Sequence, residues 1–284
     1  MRLNVVLGTL VAVAALLGAS TTQAQGVLSK AKATGTIRVG IFNQPPWGYV
    51  DANGNVKGQT VDILRAAFAG LGITKIDAVV ADFGALIPGL TSKRFDVIAA
   101  GLYIKPERCK LVAFGNPDIQ MSDALLVPKG NPKNLHSYAD IAKDKSVMLA
   151  TGRGSVEYQH AIDAGIPKDR VSAFTDTDAE LAALTSHRAD AVVETAATIS
   201  VWAKASDKLE RALPFTQPVG ADGKALYGYP ALAFRPADAD FRDAYNAQLK
   251  KLRESGKMLE ILKQYGFSEA DLPPENLTST DLCK

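Results

Sequence analysis

The sequence predicts an α/β protein of two lobes, each a mostly parallel sheet flanked by helices, with two chain crossings forming a hinge between them. Short apolar strand-like runs alternate with amphipathic helical segments along most of the 284 residues. A turn-rich passage after Ala124–Val127 opens a second, self-contained series of the same kind. The apolar run Pro230–Phe234 then returns to the first series. This order places a cleft between the lobes, which we expect to close around a ligand.

The first series begins with a strand at Thr36–Phe42, where polar and apolar residues alternate. Asn53-Gly54 predicts a tight hairpin, since the alternative, a calcium loop, would need a glycine and a distal glutamate that are missing. Apolar residues at helical spacing predict a helix over Val61–Leu71. The remaining predicted elements of this series are strand Ile76–Val80, helix Ala85–Leu90 and strand Asp96–Ala100.

The second series repeats the alternation of strands and helices. Its predicted strands are Ser146–Ala150, Val171–Phe174 and Asp190–Val193. Its predicted helices are Ser155–Ala164 and Asp178–His187, the latter with Asp178 as N-cap. After the return crossing, two helices are predicted over Asp238–Glu254 and Lys257–Tyr265, each followed by a glycine. We therefore assign lobe one to residues 25–124, lobe two to residues 125–229, and a return to lobe one to residues 230–284.

Residues 1–24 have the features of an export signal. A basic start precedes the apolar run Val5–Leu17, and Thr22-Gln23-Ala24 fits a small-x-small cleavage site. The run has about 13 residues, fewer than the roughly 20 that span a bilayer. Cleavage near Ala24 and a periplasmic location are therefore expected, with an uncleaved anchor as the alternative.

Export determines how the two cysteines are interpreted. In an oxidising compartment Cys109 and Cys283 are expected to form one disulfide, with two free thiols as the alternative.

The whole chain carries 32 Lys and Arg against 30 Asp and Glu, without a basic patch interleaved with aromatics. This near-neutral balance argues against nucleic acid as a partner. We expect a monomer without cofactor or metal.

The segment around Arg108 carries the strongest functional signal. DVIAAG leads through an aromatic and a Lys-Pro-Glu turn to this arginine, just past the carboxyl end of a predicted strand, where α/β sheets bind small ligands. A guanidinium can grip a carboxylate with two parallel hydrogen bonds. Trp47, Phe83 and Tyr103 hold comparable positions and are either core residues or ring faces for a cation. Together they predict a site for a small zwitterion with a delocalised or alkylated cation.

Three further candidates lie in lobe two, and one more lies in the first loop of lobe one. In GRGS, Gly154 permits a tight turn and Ser155 opens a helix, so this turn either caps the ligand carboxylate or is an ordinary capped helix start. Glu194 ends the strand ADAVVE, where it either binds a ligand cation or supports the following helix. In the first loop of lobe one, Gln44 could contact the polar edge of the ligand or be solvated.

No catalytic residue is predicted. His136, His160 and His187 are scattered on predicted loop or helix surfaces without metal-ligand spacing, and all three are expected to be solvated. The chain has neither a Gly-x-Ser-x-Gly elbow nor a candidate cysteine nucleophile.

Almost the whole mature chain resembles the periplasmic solute-binding proteins of polar amino-acid type ABC importers, and within them the ectoine- and hydroxyectoine-binding proteins. The segments that carry this resemblance are NQPPW, DFGALIPGL, AGLYIKPERC, GRGS, AFRPADADFRDAYNAQLKKLRESG, KQYGFS and the near-terminal cysteine. The resemblance implies the type II periplasmic binding protein fold. It also implies a receptor that closes around one solute and presents it to membrane permease subunits.

By this resemblance, Trp47, Phe83 and Tyr103 cage the ligand cation, Arg108 binds its carboxylate, and Ser155 completes the clamp. The ectoine-binding relatives have an acid where this chain has Gln44. Glu194 stands near the place where amino-acid binders hold the α-ammonium. The expected ligand is therefore ectoine-like, with a polar amino acid as the alternative. Exported dehydratases share this architecture, so an enzyme that uses Glu194 as proton donor is a minor alternative.

Overall fold

The computed structural model describes residues 26–220 and 223–284, so the predicted export signal lies outside the described residues. The strands of the described chain are β1 Thr36–Ile41, β2 Tyr49–Val50, β3 Val56–Lys57, β4 Lys75–Val80, β5 Val97–Ile98, β6 Ala113–Phe114, β7 Asp123–Pro128, β8 Leu149–Gly152, β9 Val171–Phe174, β10 Ala191–Thr195, β11 Leu209–Arg211 and β12 Ala233–Phe234. Its α-helices are α1 Val27–Thr34, α2 Gln59–Ala69, α3 Leu86–Thr91, α4 Pro106–Cys109, α5 Tyr138–Lys143, α6 Val156–Asp163, α7 Thr177–Thr185, α8 Ala196–Lys204, α9 Ala239–Glu254, α10 Lys257–Gln264 and α11 Ser279–Leu282.

Two five-stranded sheets organise these elements. The first has the order β4-β1-β5-β12-β6, and the second has the order β11-β7-β10-β8-β9. We call the part of the chain built on the first sheet lobe one and the part built on the second sheet lobe two. The chain enters lobe two at β7 and rejoins lobe one at β12. The boundaries near residues 124 and 229 stay a prediction.

The two-lobed α/β architecture is confirmed, but each sheet is mixed rather than mostly parallel. In lobe one, β4, β1 and β5 are parallel, while β12 pairs antiparallel with β5 and with β6. In lobe two, β10, β8 and β9 are parallel, while β7 pairs antiparallel with β10 and with β11. The parallel pairs belong to βαβ units, and the crossing strands β7 and β12 bring the antiparallel pairings.

Most predicted elements are present with bounds shifted by one to three residues. The Asn53-Gly54 hairpin is confirmed by antiparallel pairing of β2 with β3. One helix start was wrong: Asp176, and not Asp178, caps α7, because its side chain accepts a hydrogen bond from the Ala179 N–H. Asp178 lies in the first turn of that helix, where its negative charge interacts favourably with the helix dipole.

The core of lobe one is aromatic where α2 and α9 pack on the first sheet. The Phe241 ring lies 5.0 Å from that of Phe68 and 5.2 Å from that of Phe234, and Tyr245 packs against both partners. All four side chains are essentially inaccessible to solvent. Close-packed rings of this kind make the lobe a rigid support, because protein interiors resist compression.

The disulfide between Cys109 and Cys283 is confirmed, with Cα atoms 5.7 Å apart. Cys109 ends α4, the short helix that also carries Arg108. Cys283 follows α11, and the neighbouring Leu282 packs with it against the lobe-one core. The bridge therefore fastens the C-terminal segment to the helix that presents the arginine.

Removing this bridge is expected to destabilise the protein. It joins residues 174 apart in sequence, and closure of so long a loop stabilises by up to about 5 kcal/mol on the chain-entropy model. We expect Cys109→Ser/Cys283→Ser to lower the free energy of unfolding by roughly 2–5 kcal/mol, measured by denaturant titration. Reductant should destabilise the native chain and leave the double variant unchanged. Equal stability of the two oxidised proteins would contradict this expectation.

Candidate ligand-binding site

A cavity lies between the two lobes. Its lining comes from both sheets at the ends of their strands. The lining residues are Phe42, Gln44, Trp47, Phe83, Ala100, Gly101, Tyr103, Arg108, Gly152, Ser155, Val156, Glu157, Phe174, Glu194 and Thr195. Seven of the eight candidates from the sequence therefore meet in one place. The eighth, Gly154, is absent from the lining, but its carbonyl contacts Arg108.

Arg108 is half-buried at the lobe-one wall of the cavity. Its Nη1 donates to the Tyr103 carbonyl at 2.9 Å, and its Nη2 donates to the Gly154 carbonyl of lobe two at 3.0 Å. The guanidinium carbon lies 5.6 Å from the centre of the Phe83 ring. Burial lowers the pKa of Arg108, while Glu157 raises it. A guanidinium stays charged in proteins and carries five N–H donors. The N–H groups that do not contact Tyr103 or Gly154 can therefore bind a ligand anion.

The GRGS turn owes its shape to Gly154, whose φ of 78° lies in the left-handed region. Ser155 then caps α6, because its Oγ accepts a hydrogen bond from the Tyr158 N–H at 3.0 Å. The same hydroxyl lies 3.3 Å from that of Thr151. Ser155 is thus a helix cap that also lines the cavity, so the two readings of this turn are compatible.

The three predicted rings all line the cavity, although Trp47 and Tyr103 are also packed into the core. Trp47 is 1% exposed, and its Nε1 donates to the hydroxyls of Thr195 and Thr198 in lobe two, at 3.3 and 3.2 Å. Phe83 is only partly buried and stacks edge-on against Phe42. The cavity therefore has aromatic walls in which Trp47 and Phe83 are held by contacts with neighbouring side chains.

Two lining rings were missed from the sequence, Phe42 and Phe174. Phe42 directly follows β1, and Phe174 is the last residue of β9. The carboxyl-end rule that selected Arg108 applies equally to both positions, so it could have found them.

Glu194 forms the opposite, acidic wall. Its Oε2 accepts a hydrogen bond from Gln44 Nε2 of lobe one at 3.2 Å, and its Oε1 accepts from the Gly152 N–H at 3.2 Å. Burial raises the pKa of Glu194 to about 7, although Gln44 and the Gly152 N–H favour the charged form. The carboxyl group is therefore poised between its neutral and charged states near neutral pH.

Two further buried acids surround Glu194 and escaped the sequence analysis. Glu157, near the start of α6, lines the cavity, and burial raises its pKa well above the ordinary value, with Glu194 and Asp123 adding to the effect. Glu180 on α7 is fully buried, and burial followed by the charge of Glu194 raises its pKa to about 11. Both shifts favour the neutral carboxyl. No sequence signal distinguishes them from exposed helical glutamates, because their burial depends on tertiary packing.

The prediction for His160 was wrong. Its side chain is mostly buried, and its Nδ1 lies 2.7 Å from Oδ2 of Asp123, which also accepts from the Tyr138 hydroxyl at 2.6 Å. His160 sits on α6 facing the crossing strand β7, a packing that its helical position alone does not reveal. Within residues 26–220 and 223–284, His, Cys, Asp and Glu form no cluster of three or more that could hold a metal ion.

Comparison with known proteins agrees with this architecture. The pattern of the bacterial extracellular solute-binding proteins, family 3, matches residues 37–269. A probable amino-acid ABC transporter periplasmic-binding protein of Sinorhizobium fredii is 38% identical over 261 residues, covering 90% of this chain and 85% of its own length. The lysine/arginine/ornithine-binding periplasmic protein of Escherichia coli is 26% identical over 260 residues, covering 90% and 96%.

Solved structures show the same fold. The crystal structure of EhuB in complex with hydroxyectoine has a TM-score of 0.81 and 35% identity, covering 91% of this chain and 98% of that one. An ancestral amino-acid-binding protein, a precursor of cyclohexadienyl dehydratase, has a TM-score of 0.73 and 25% identity, covering 84% and 98%.

The chain belongs to the bacterial extracellular solute-binding proteins, family 3. It has their type II periplasmic binding protein fold, and it is a solute-binding receptor of an amino-acid-type ABC importer. None of the helices in the described part of the chain has the length and apolar character of a membrane span.

Arg108 provides the first test of the site. Arg108→Lys keeps the charge but loses the planar fork, and Arg108→Ala leaves the ligand anion unpaired in a desolvated site, so we expect dissociation constants to rise about 10-fold and at least 100-fold respectively. Isothermal titration calorimetry measures both. Arg242→Ala, at a partly exposed position on α9 away from the cavity lining, is the control and should bind like the native protein. Near-native affinity of Arg108→Ala would exclude this arginine from the site.

We expect Glu194 to make the binding of a ligand cation depend on pH. The raised pKa means that the carboxylate is available above about pH 7 and is progressively protonated below it. We expect affinity to be constant at high pH and to fall by up to about tenfold per pH unit below 7. Glu194→Gln should bind more weakly at pH 8 and lose the pH dependence, whereas the exposed control Glu254→Gln should keep it. A flat native profile between pH 8 and 5 would contradict this role.

Proposed function

We propose that this receptor captures a small zwitterionic solute of the ectoine and hydroxyectoine class in the periplasm and delivers it to the permease subunits of its importer. The observation that carries the proposal is the separation of charge across the cavity. Arg108 lies on the lobe-one wall beside the Phe83 ring, and Glu194 is buried on the lobe-two wall. A small molecule with a carboxylate at one end and a delocalised cation at the other matches both walls.

Trp47, Phe83 and Tyr103 supply the surfaces that favour a delocalised cation over a compact ammonium. An aromatic face stabilises a desolvated cation by about 1–2 kcal/mol, and a charge-assisted hydrogen bond contributes about 1.5–3 kcal/mol. A few such contacts, reduced by the cost of ordering the lobes, reach the roughly 8 kcal/mol of micromolar affinity. The likeness to EhuB, whose structure holds hydroxyectoine, supports the same solute class.

Closure of the lobes completes the proposed mechanism. Three contacts link the lobes: Arg108 with Gly154, Gln44 with Glu194, and Trp47 with two threonines. Each involves a residue of the cavity wall, so ligand contacts and lobe contacts are made by the same side chains. We propose that the closed monomer is the form that the permease recognises.

A polar amino acid is the second candidate, and a buried acid in lobe two favours it. An α-ammonium could pair with Glu194 while Arg108 holds the α-carboxylate. The amino-acid-binding relatives of Sinorhizobium and Escherichia support this alternative. This alternative predicts affinity for ligands with a compact ammonium group. It does not explain why five aromatic residues line the cavity.

A dehydratase is the third candidate, since Glu194, with its pKa near 7, is a carboxyl group suited to proton donation. The structural likeness to a precursor of cyclohexadienyl dehydratase motivates the test. Incubation with prephenate or arogenate should leave both substrates unchanged. Appearance of an aromatic product would overturn the assignment as a receptor without enzymatic activity.

A thermal-shift screen of the purified mature protein distinguishes the two receptor candidates. The ligands are ectoine, hydroxyectoine, glycine betaine and the common amino acids. We expect the ectoines to raise the melting temperature most, because a ligand at 100 times its dissociation constant stabilises by about 2.7 kcal/mol. Arg108→Ala should abolish the shift. A shift with glutamine, lysine or arginine and none with the ectoines would reject the proposed solute class.

A further inference from the structure

Two polar atoms of the cavity wall are not used by any interaction described above. They are the hydroxyl of Tyr103 and Oε1 of Glu157, and neither has a hydrogen-bond partner among the described residues. Tyr103 is 4% exposed and Glu157 is 3% exposed, yet both line the ligand cavity. Buried polar groups are normally paired, so two unpaired atoms on residues that line one cavity are candidates for contact with its ligand.

The two atoms approach the cavity from different lobes. Tyr103 follows β5 of lobe one, and Glu157 is the second residue of α6 in lobe two. Among charged groups, Glu157 has the largest effect on the pKa of the Tyr103 hydroxyl, which agrees with their proximity. The partner must therefore fit between the lobes, where the ligand is enclosed.

Neither side chain is free to find a partner elsewhere. The Tyr103 ring packs against the backbone of Gly228, so closely that a Cβ atom there would lie 1.9 Å from a ring carbon. The Tyr103 backbone is bridged to Pro230, and its carbonyl accepts from Arg108. Glu157 is held by the capped first turn of α6. Both residues therefore belong to the cavity wall, each on an anchored segment of its own lobe.

The chemistry of the pair specifies the missing group. The ligand carboxylate is already matched by Arg108, and the ligand cation by Glu194 and the rings. Burial and the nearby Glu194 and Asp123 raise the pKa of Glu157 well above its usual value, which favours the neutral carboxyl. Two neutral groups, each able to donate and accept, suit a third neutral group with both capacities. A hydroxyl is such a group.

We propose that the Tyr103 hydroxyl and Glu157 form a subsite for a hydroxyl substituent of the ligand, so that the receptor prefers a hydroxylated zwitterion to its unsubstituted counterpart. This inference rests on the proposed function and adds the substituent to the solute class. Each lobe contributes one hydrogen-bonding group, so the hydroxyl also links the two lobes in the closed form. A site built to hydrogen-bond a hydroxyl discriminates strongly against a ligand that lacks it.

The test compares two ligands that differ by one hydroxyl. Calorimetry measures the affinities of ectoine and hydroxyectoine for the native protein, Tyr103→Phe, Glu157→Leu and the control Tyr158→Phe. Tyr158 adjoins Glu157 on α6 but lies outside the cavity lining. We expect the native protein and the control to bind hydroxyectoine at least about tenfold more tightly, which corresponds to about 1.4 kcal/mol. In the two cavity variants the ratio of the two affinities should fall towards one.

Two results would overturn the subsite. Equal affinities of the native protein for the two ligands would show that the ligand hydroxyl contributes nothing to binding. An equal loss of affinity for both ligands in Tyr103→Phe would show that the Tyr103 hydroxyl has a purely structural role. If the native protein binds neither ectoine nor hydroxyectoine, the proposed solute class is wrong, whether or not the subsite exists. Lysine and 5-hydroxylysine then test the subsite in the same variants. Preference for 5-hydroxylysine that is lost in Tyr103→Phe would support the subsite, and no preference, or no binding of either, would overturn it.

Discussion

Opposite charges on opposite walls of one buried cavity are the constraint on which the rest of this structure depends. Arg108 in lobe one and Glu194 in lobe two both lie in a water-poor space, where an unpaired charge is costly. The Gly154 carbonyl and the Gln44 amide satisfy them only in part. In the proposed function a zwitterion completes both sets of interactions at once, so that one small solute holds the two lobes together.

The supporting structure keeps these charges in place. The disulfide fastens α4, which carries Arg108, to the C-terminal segment. Glu194 lies on β10, a central strand of the second sheet, and burial raises the pKa of the neighbouring Glu157 and Glu180, which favours their neutral forms. The site thus presents one anchoring cation and one titratable anion, although it is built from one basic and three acidic side chains.

Much of this arrangement could be predicted from the sequence, because ligand sites of α/β folds gather at strand ends. The rule located Arg108 and Glu194 from the apolar runs before them, and it placed the three rings near them. It could not show Glu157 or Glu180, since a glutamate on a helix is exposed or buried according to tertiary packing. His160 was missed for the same reason, as was the antiparallel pairing of the crossing strands, which depends on how the lobes connect.

A crystal structure of the protein with hydroxyectoine tests the central claim most directly. The account predicts the ligand carboxylate within about 3 Å of the Arg108 guanidinium, the ring cation between aromatic faces with an N–H towards Glu194, and the hydroxyl between Tyr103 and Glu157. A ligand in the reverse orientation, with its carboxylate against lobe two, would contradict it. So would a ligand bound outside the cavity between the lobes.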